Sequence, residues 1–228
     1  MTEFLLQAAA LILPLIIAIV FHEVAHGWVA LTLGDPTARE QRRLSLNPIR
    51  HVDPFGTLIL PAMLWLMTHT AFGWAKPVPV NYGRLRDPRR GMMLVAAAGP
   101  ATNFVLAAIG AVLLGLLARF AGSSEAPPVA FLAEMGNNFI LINVFLAFFN
   151  LLPLPPFDGS HIVEGMLPRS AARGYAKLRP YGLVLFFVLL LIVPRVFPGW
   201  GVIERFVVPP VAWLGEYYYD LARMVAGA

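Results

Sequence analysis

The sequence predicts an all-α polytopic membrane protein, with about four to six transmembrane helices, a re-entrant segment and a short extended loop. Three observations predict it. Of 228 residues, 58% are hydrophobic and 13% charged, with a mean hydropathy of +0.70; a soluble domain of this length could hardly hide so much apolar surface. The apolar residues are gathered into runs of spanning length. Lys and Arg are restricted to particular loops.

Each run can be justified in order. Phe4–Leu33 is ample for a crossing. The N-terminal stretch MTEFLLQ has neither a positive n-region nor a small-residue cleavage site, so this first run reads as retained rather than as a signal peptide. Phe55–Phe72 is interrupted by Pro61 and is marginal. Gly91–Ala118 and Phe131–Leu154 are both of full length. Tyr181–Phe197 is shorter, and adequate if Arg195 snorkels to the interface. Gly201–Ala228 is broken by VPP at Val208–Pro210 and carries Glu204, Arg205, Glu216, Asp220 and Arg223; it reads as an interfacial helix or a poor last span. With no repeat, no low-complexity tract and no polar segment long enough for an appended soluble domain, residues 1–228 read as one membrane-embedded domain. Its core is 4–160, followed by C-terminal helices in 161–228.

Basic residues orient the chain. The loop 33–55 carries Arg39, Arg42, Arg43 and Arg50; the loop 72–91 carries Lys76, Arg84, Arg86, Arg89 and Arg90; Arg169, Arg173, Lys177 and Arg179 follow Leu154. The stretch AGSSEAPPVA, Ala121–Ala130, has no Lys or Arg. All three basic loops fall on the cytoplasmic side only if Phe55–Phe72 dips in and returns. That reading puts the N-terminus outside.

The chemistry sits in FHEVAHG, Phe21–Gly27, deep in the first apolar run. Histidines four apart share a helix face, so His22 and His26 can aim at one metal ion. Glu23 adjoins that face and suits a base acting on water at the metal. Two packing histidines would be the plainer reading in a soluble helix; at membrane depth, ionisable residues are usually functional. The chain has no cysteine, which excludes disulfides and thiolate ligands, so a third ligand must be His, Asp or Glu. Asp158, in the proline-broken stretch NLLPLPPFDGSH, is the acid nearest the end of Phe131–Leu154, which runs in the same direction as the first span. It could instead cap the following turn, and His161 is the rival ligand.

These residues carry a family resemblance. FHEVAHG, HVDPFGTLILP, GWAKPVPVN, AAGPATN and NLLPLPPFDG, in that order over most of Phe21–Gly159, resemble the site-2 protease family of intramembrane zinc metalloproteases in its compact form. The resemblance implies one zinc per chain held by His22, His26 and Asp158, with Glu23 as general base and an active-site role for Asn150. It implies hydrolysis of a peptide bond in or near a transmembrane helix of a single-span membrane-protein substrate; the loop charges, by running the first span from outside to inside, put His22 and His26 near the cytoplasmic face of the cell membrane. The PDZ-like insertion and CBS-like region of familiar members are not found.

Two further function classes stand beside this one. A divalent-metal transporter would use the same three ligands without needing Glu23, and would require a polar path across the bilayer. A catalytically silent scaffold typically loses a ligand or the base, and both are retained. The partners expected are the lipid bilayer and the substrate, with a homo-oligomer left open. The net charge of +4 is small, and no basic run interleaved with aromatics suggests nucleic acid. Asn103 reads as interhelical polar glue beside small residues. Asn143 and Asn150, seven apart, read as a packing stripe that the resemblance tips toward function at Asn150. KPVPVN, Lys76–Asn81, reads either as a loop or as an extended edge for strand addition. His51 and His69 read as structural.

Overall fold

The computed structural model describes residues 2–68, 73–122, 124 and 126–227. Among the described residues every regular element is helical and no strand occurs. In order these are α1 (Thr2–Thr32), α2 (Thr37–Glu40), α3 (Leu60–Thr68), α4 (Pro88–Ala121), α5 (Pro127–Asn150), α6 (Asp158–Met166), α7 (Arg169–Ala176), α8 (Gly182–Phe187), α9 (Val193–Val196) and α10 (Val208–Ala226), with short 3-10 and π-helical turns between some of them.

Helices α1, α4 and α5 form the core of the bundle. At 1.5 Å per residue the 31 residues of α1 and the 34 of α4 extend about 46 and 51 Å, more than a hydrocarbon core requires. α1 and α4 run antiparallel: Ala18 and His22 meet Asn103, and His26 meets Val95. α5 returns antiparallel to α4, so that a Cβ on Gly110 would touch Phe139 and Ile140, while one on Gly136 would touch Leu114. Small residues let these backbones approach, which is how helices associate where lipid offers no hydrophobic drive. The apolar contact is Ala107, Ala111, Ile140 and Val144, all buried.

The Phe55–Phe72 run does not cross. A π-helical turn at Pro54–Ile59 leads into α3, and the chain then comes back to its starting point. Trp74 N donates to Gly56 O at 3.1 Å, and Lys76 N to His51 O at 2.8 Å. Both ends of the excursion therefore lie together. His69 and Phe72 lie outside the described residues, as do Ser123 and Glu125.

After α6 and α7 the chain passes through α8 and α9. Arg169–Val196 is long and apolar enough to cross a membrane. Yet Phe186 and Val207, on either side of its end, share one buried cluster with Phe149 and Phe157. α10 then runs parallel to α4: the Tyr218 hydroxyl donates to Phe104 O at 2.9 Å, and Ala222 and Val225 lie against Gly115. The C-terminal segment is thus a helix packed along the bundle, not one laid across its end.

Candidate metal centre

Residues 22–26 lie in the half of α1 that faces the basic loops. The imidazoles of His22 and His26 sit edge to face, centroids 4.6 Å apart, as an i, i+4 pair on one face must. Both are buried. Gly99 of α4 makes the space: a Cβ there would lie 2.5 Å from His22 Cε1 and Nε2 and 2.6 Å from His26 Cε1.

Asp158 arrives from the other side. α5 ends at Asn150 and a proline-rich turn follows. Phe157 packs edge to face on Phe149 and Phe186, with centroids 4.5 and 5.1 Å away, and so anchors the residue before the carboxylate. Asp158 Oδ2 lies 3.1 Å from His22 Nε2 and 3.3 Å from His26 Nε2. The three potential ligand atoms all fall within 4.8 Å of one another. Asp158 begins α6, and its Oδ2 turns to the two histidines instead of to a donor of that helix.

Hydrogen bonding tests whether this group suits a cation. His26 Nδ1 is 2.7 Å from Val95 O; a carbonyl can only accept, so Nδ1 carries the proton and Nε2 presents a lone pair. Pro100 withholds the helix donor from the neighbouring Ala96 carbonyl. His22 Nδ1 is 2.6 Å from Asn103 Oδ1. The Asn103 amide is oriented by two acceptors for its Nδ2, Ala18 O at 3.2 Å and Asn143 Oδ1 at 2.8 Å, and Asn143 in turn donates to Phe139 O. So His22 also donates through Nδ1 and leaves Nε2 bare. Two lone pairs face a carboxylate oxygen that is buried without a hydrogen-bond partner. Three acceptors in one buried spot need a positive ion, and two nitrogens with one oxygen suit zinc.

Glu23 borders the same cavity, of about 620 Å³, with Asn150, His161 and Trp74. Its Oε2 accepts the Val78 N–H at 2.8 Å. Val78 lies in the stretch 73–80, which has no regular secondary structure and no strand partner among the described residues. That stretch is tied at both ends: Arg43 Nη2 donates to Lys76 O, and Asn81 N donates to Asp35 Oδ2 at 2.5 Å. Asp35 is fully buried. Burial raises its pKa, but the bonds from Thr37 and Asn81 outweigh that and hold the carboxyl below its ordinary value of 3.8.

The structure therefore brings together His22, Glu23, His26 and Asp158. Asn150 lines the cavity, with its Nδ2 bonded to Leu146 O. His161 lines it too but stands outside the three-ligand group. His51 is buried and bonded through Nε2 to Ser45 O. Asn103 is polar glue as expected, and more: it fixes the His22 ring. The sequence signal for that role is its place four residues after Gly99, on the face of α4 that meets the histidines.

Known proteins resemble this chain as follows. The model for Peptidase family M50 matches residues 128–193, which include Asn150 and Asp158. The chain is 40% identical over 181 residues to "Putative zinc metalloprotease YwhC" of Bacillus subtilis, covering 79% of this chain and 80% of that one. It is 29% identical over 177 residues to "Putative zinc metalloprotease Rip2" of Mycolicibacterium smegmatis, covering 77% and 64%. The same name is carried by a Mycobacterium tuberculosis protein, 29% identical over 185 residues and covering 81% and 67%. No solved structure matches the chain.

Proposed function

We propose, from the premise that the chain belongs to peptidase family M50, the site-2 protease family, that His22, His26 and Asp158 hold its zinc and Glu23 is its general base. The protein is a multi-pass membrane zinc metalloprotease. The observation that carries the residue assignment is the pair of Nε2 atoms facing the Asp158 carboxylate, each on a ring whose Nδ1 is engaged by an oxygen acceptor. Zinc held there supplies Lewis acidity, polarising a peptide carbonyl and acidifying a water.

The remaining chemistry belongs to the chain's own groups. With Oε2 held by Val78 N–H, Glu23 has Oε1 left to take the proton of the attacking water and hand it to the leaving amine. Asn150 spends one N–H on Leu146 O and has a second for the developing oxyanion. The substrate is a single-span membrane protein. Its helix must unwind locally to expose a peptide bond, and the Lys76–Asn81 stretch beside the cavity offers backbone for the unwound strand. As one membrane-embedded domain, with core 4–160 and C-terminal helices 161–228, the chain carries the whole site.

A reconstituted cleavage assay tests the activity. Purified protein in liposomes with a single-span substrate should cleave it, lose cleavage on treatment with a zinc chelator, and regain it when zinc is restored. Metal flux without cleavage would overturn the protease reading in favour of transport.

The site lies near the cytoplasmic face, because the three Arg-rich loops gather at its end of the bundle. Single cysteines at Ser45, Asn81, Ser123 and Ser170 test this in a chain with no cysteine of its own. An impermeant thiol reagent on intact cells should label the Ser123 position alone. Labelling at Ser45, Asn81 and Ser170 but not Ser123 would place the site on the outer face.

A further inference from the structure

Asp158 and His161 stand one turn apart on α6, on one helix face, and both line the cavity bordered by Glu23 and Asn150. With three ligands already converging, a catalytic zinc site needs its fourth position for water, so His161 is available for another task. Its Nδ1 lies 3.3 Å from Arg179 Nη2. A guanidinium offers only donors and stays charged. Nδ1 must therefore accept that bond, and the ring proton resides on Nε2. Arg179 is fixed in turn by an ion pair with Glu164, one turn beyond His161 on the same helix. Burial first, then the charge of Arg179, hold the His161 pKa below its ordinary 6.5, although Glu164 and Asp158 act the other way. At neutral pH the side chain is an uncharged imidazole with one N–H. Such a group is a donor in the cavity, without the positive charge that would oppose a metal ion.

We propose that His161 donates its Nε2–H to the scissile peptide's carbonyl oxygen as that oxygen gains negative charge, and that Arg179 is the positioning residue that keeps the proton on Nε2. The proposal rests on the metalloprotease reading above. No proton is transferred: the bond strengthens as charge builds, and Nε2 retains its hydrogen when the carbonyl re-forms. Two donors then share the oxyanion, one from the end of α5 at Asn150 and one from α6.

Zinc-loaded wild type, His161→Ala, His161→Gln and Arg179→Met are compared for bound zinc, kcat and KM on a single-span substrate, and by 15N spectra of histidine-labelled protein. His161→Ala should keep its zinc and its KM and lose roughly 10²–10³-fold in kcat, the usual effect of removing one oxyanion donor. His161→Gln, which retains an N–H, should recover part of that loss. Arg179→Met should fall between, with its His161 signal moving from the Nε2–H tautomer to a mixture. Any of three results would overturn the proposal: a kcat for His161→Ala within about threefold of wild type, loss of zinc from a folded His161→Ala, or an Nδ1–H signal in the wild type. Should His161→Ala not fold, Arg179→Met decides, since unchanged kcat with a mixed tautomer is equally fatal. If wild type binds zinc yet cleaves nothing, the metalloprotease reading itself fails. Full activity in His161→Ala sinks this inference alone.

Discussion

Glu23→Gln is expected to hold as much zinc as the wild type and to lose cleavage by about 10²–10⁴-fold, the range over which a positioned general base contributes. Glutamine is nearly isosteric, and its amide oxygen can still accept the Val78 N–H that Glu23 Oε2 accepts at 2.8 Å. The stretch that carries Val78 should stay in place. Glu23 makes no bond to His22, His26 or Asp158 among the described contacts, so the ligand group should be untouched. The amide differs in one respect, that it cannot take a proton from water near neutral pH. Elemental analysis gives the zinc content, and a gel assay on a reconstituted single-span substrate gives the rate. Cleavage retained with normal zinc would remove Glu23 as the base.

Most of the fold was legible because membrane solvation makes length and charge decisive. Runs of spanning length became α1, α4 and α5, and the Lys and Arg distribution required Phe55–Phe72 to return, as the Trp74–Gly56 bond shows it does. His22 and His26 were legible because i, i+4 spacing carries its own geometry. Asp158 was not decidable from spacing: its meeting with His22 spans more than 130 positions and depends on how the proline-broken turn after α5 is anchored by Phe157. Asn103 was under-read for a related reason. A lone amide in an apolar helix shows neither which helix it faces nor what its partner does, and here the partner is a ring that must keep its proton on Nδ1. The C-terminal segment stayed ambiguous because its charges compete with its apolar face. Packing of Tyr218 and Ala222 along α4 decided it.

Gly99→Ala is expected to empty the metal site without dismantling the bundle. One added methyl in a packed interior ordinarily costs about 1–3 kcal/mol, which the long contacts of α4 with α1, α5 and α10 should absorb. Its position makes it severe for zinc. The new Cβ would sit 2.5 Å from His22 Nε2, the atom assigned to the metal, and 2.6 Å from His26 Cε1. Neither ring can swing aside cheaply. His22 would have to break its bond to Asn103, which is itself locked to Ala18 and Asn143; His26 would have to break its bond to Val95 O. Loss of such supporting bonds alone typically lowers metal affinity 10–100-fold, and here the ligand atoms are displaced as well. Zinc content should therefore fall to that of His26→Ala or Asp158→Ala, and cleavage should fall with it. Gly215→Ala in α10 is the matched control, since its Cβ would meet only Leu141 Cδ2 at 3.9 Å, and it should keep full zinc. Normal zinc in Gly99→Ala would mean that the imidazoles do not bind metal where His22 and His26 now place them, and the three-ligand centre would have to be redrawn.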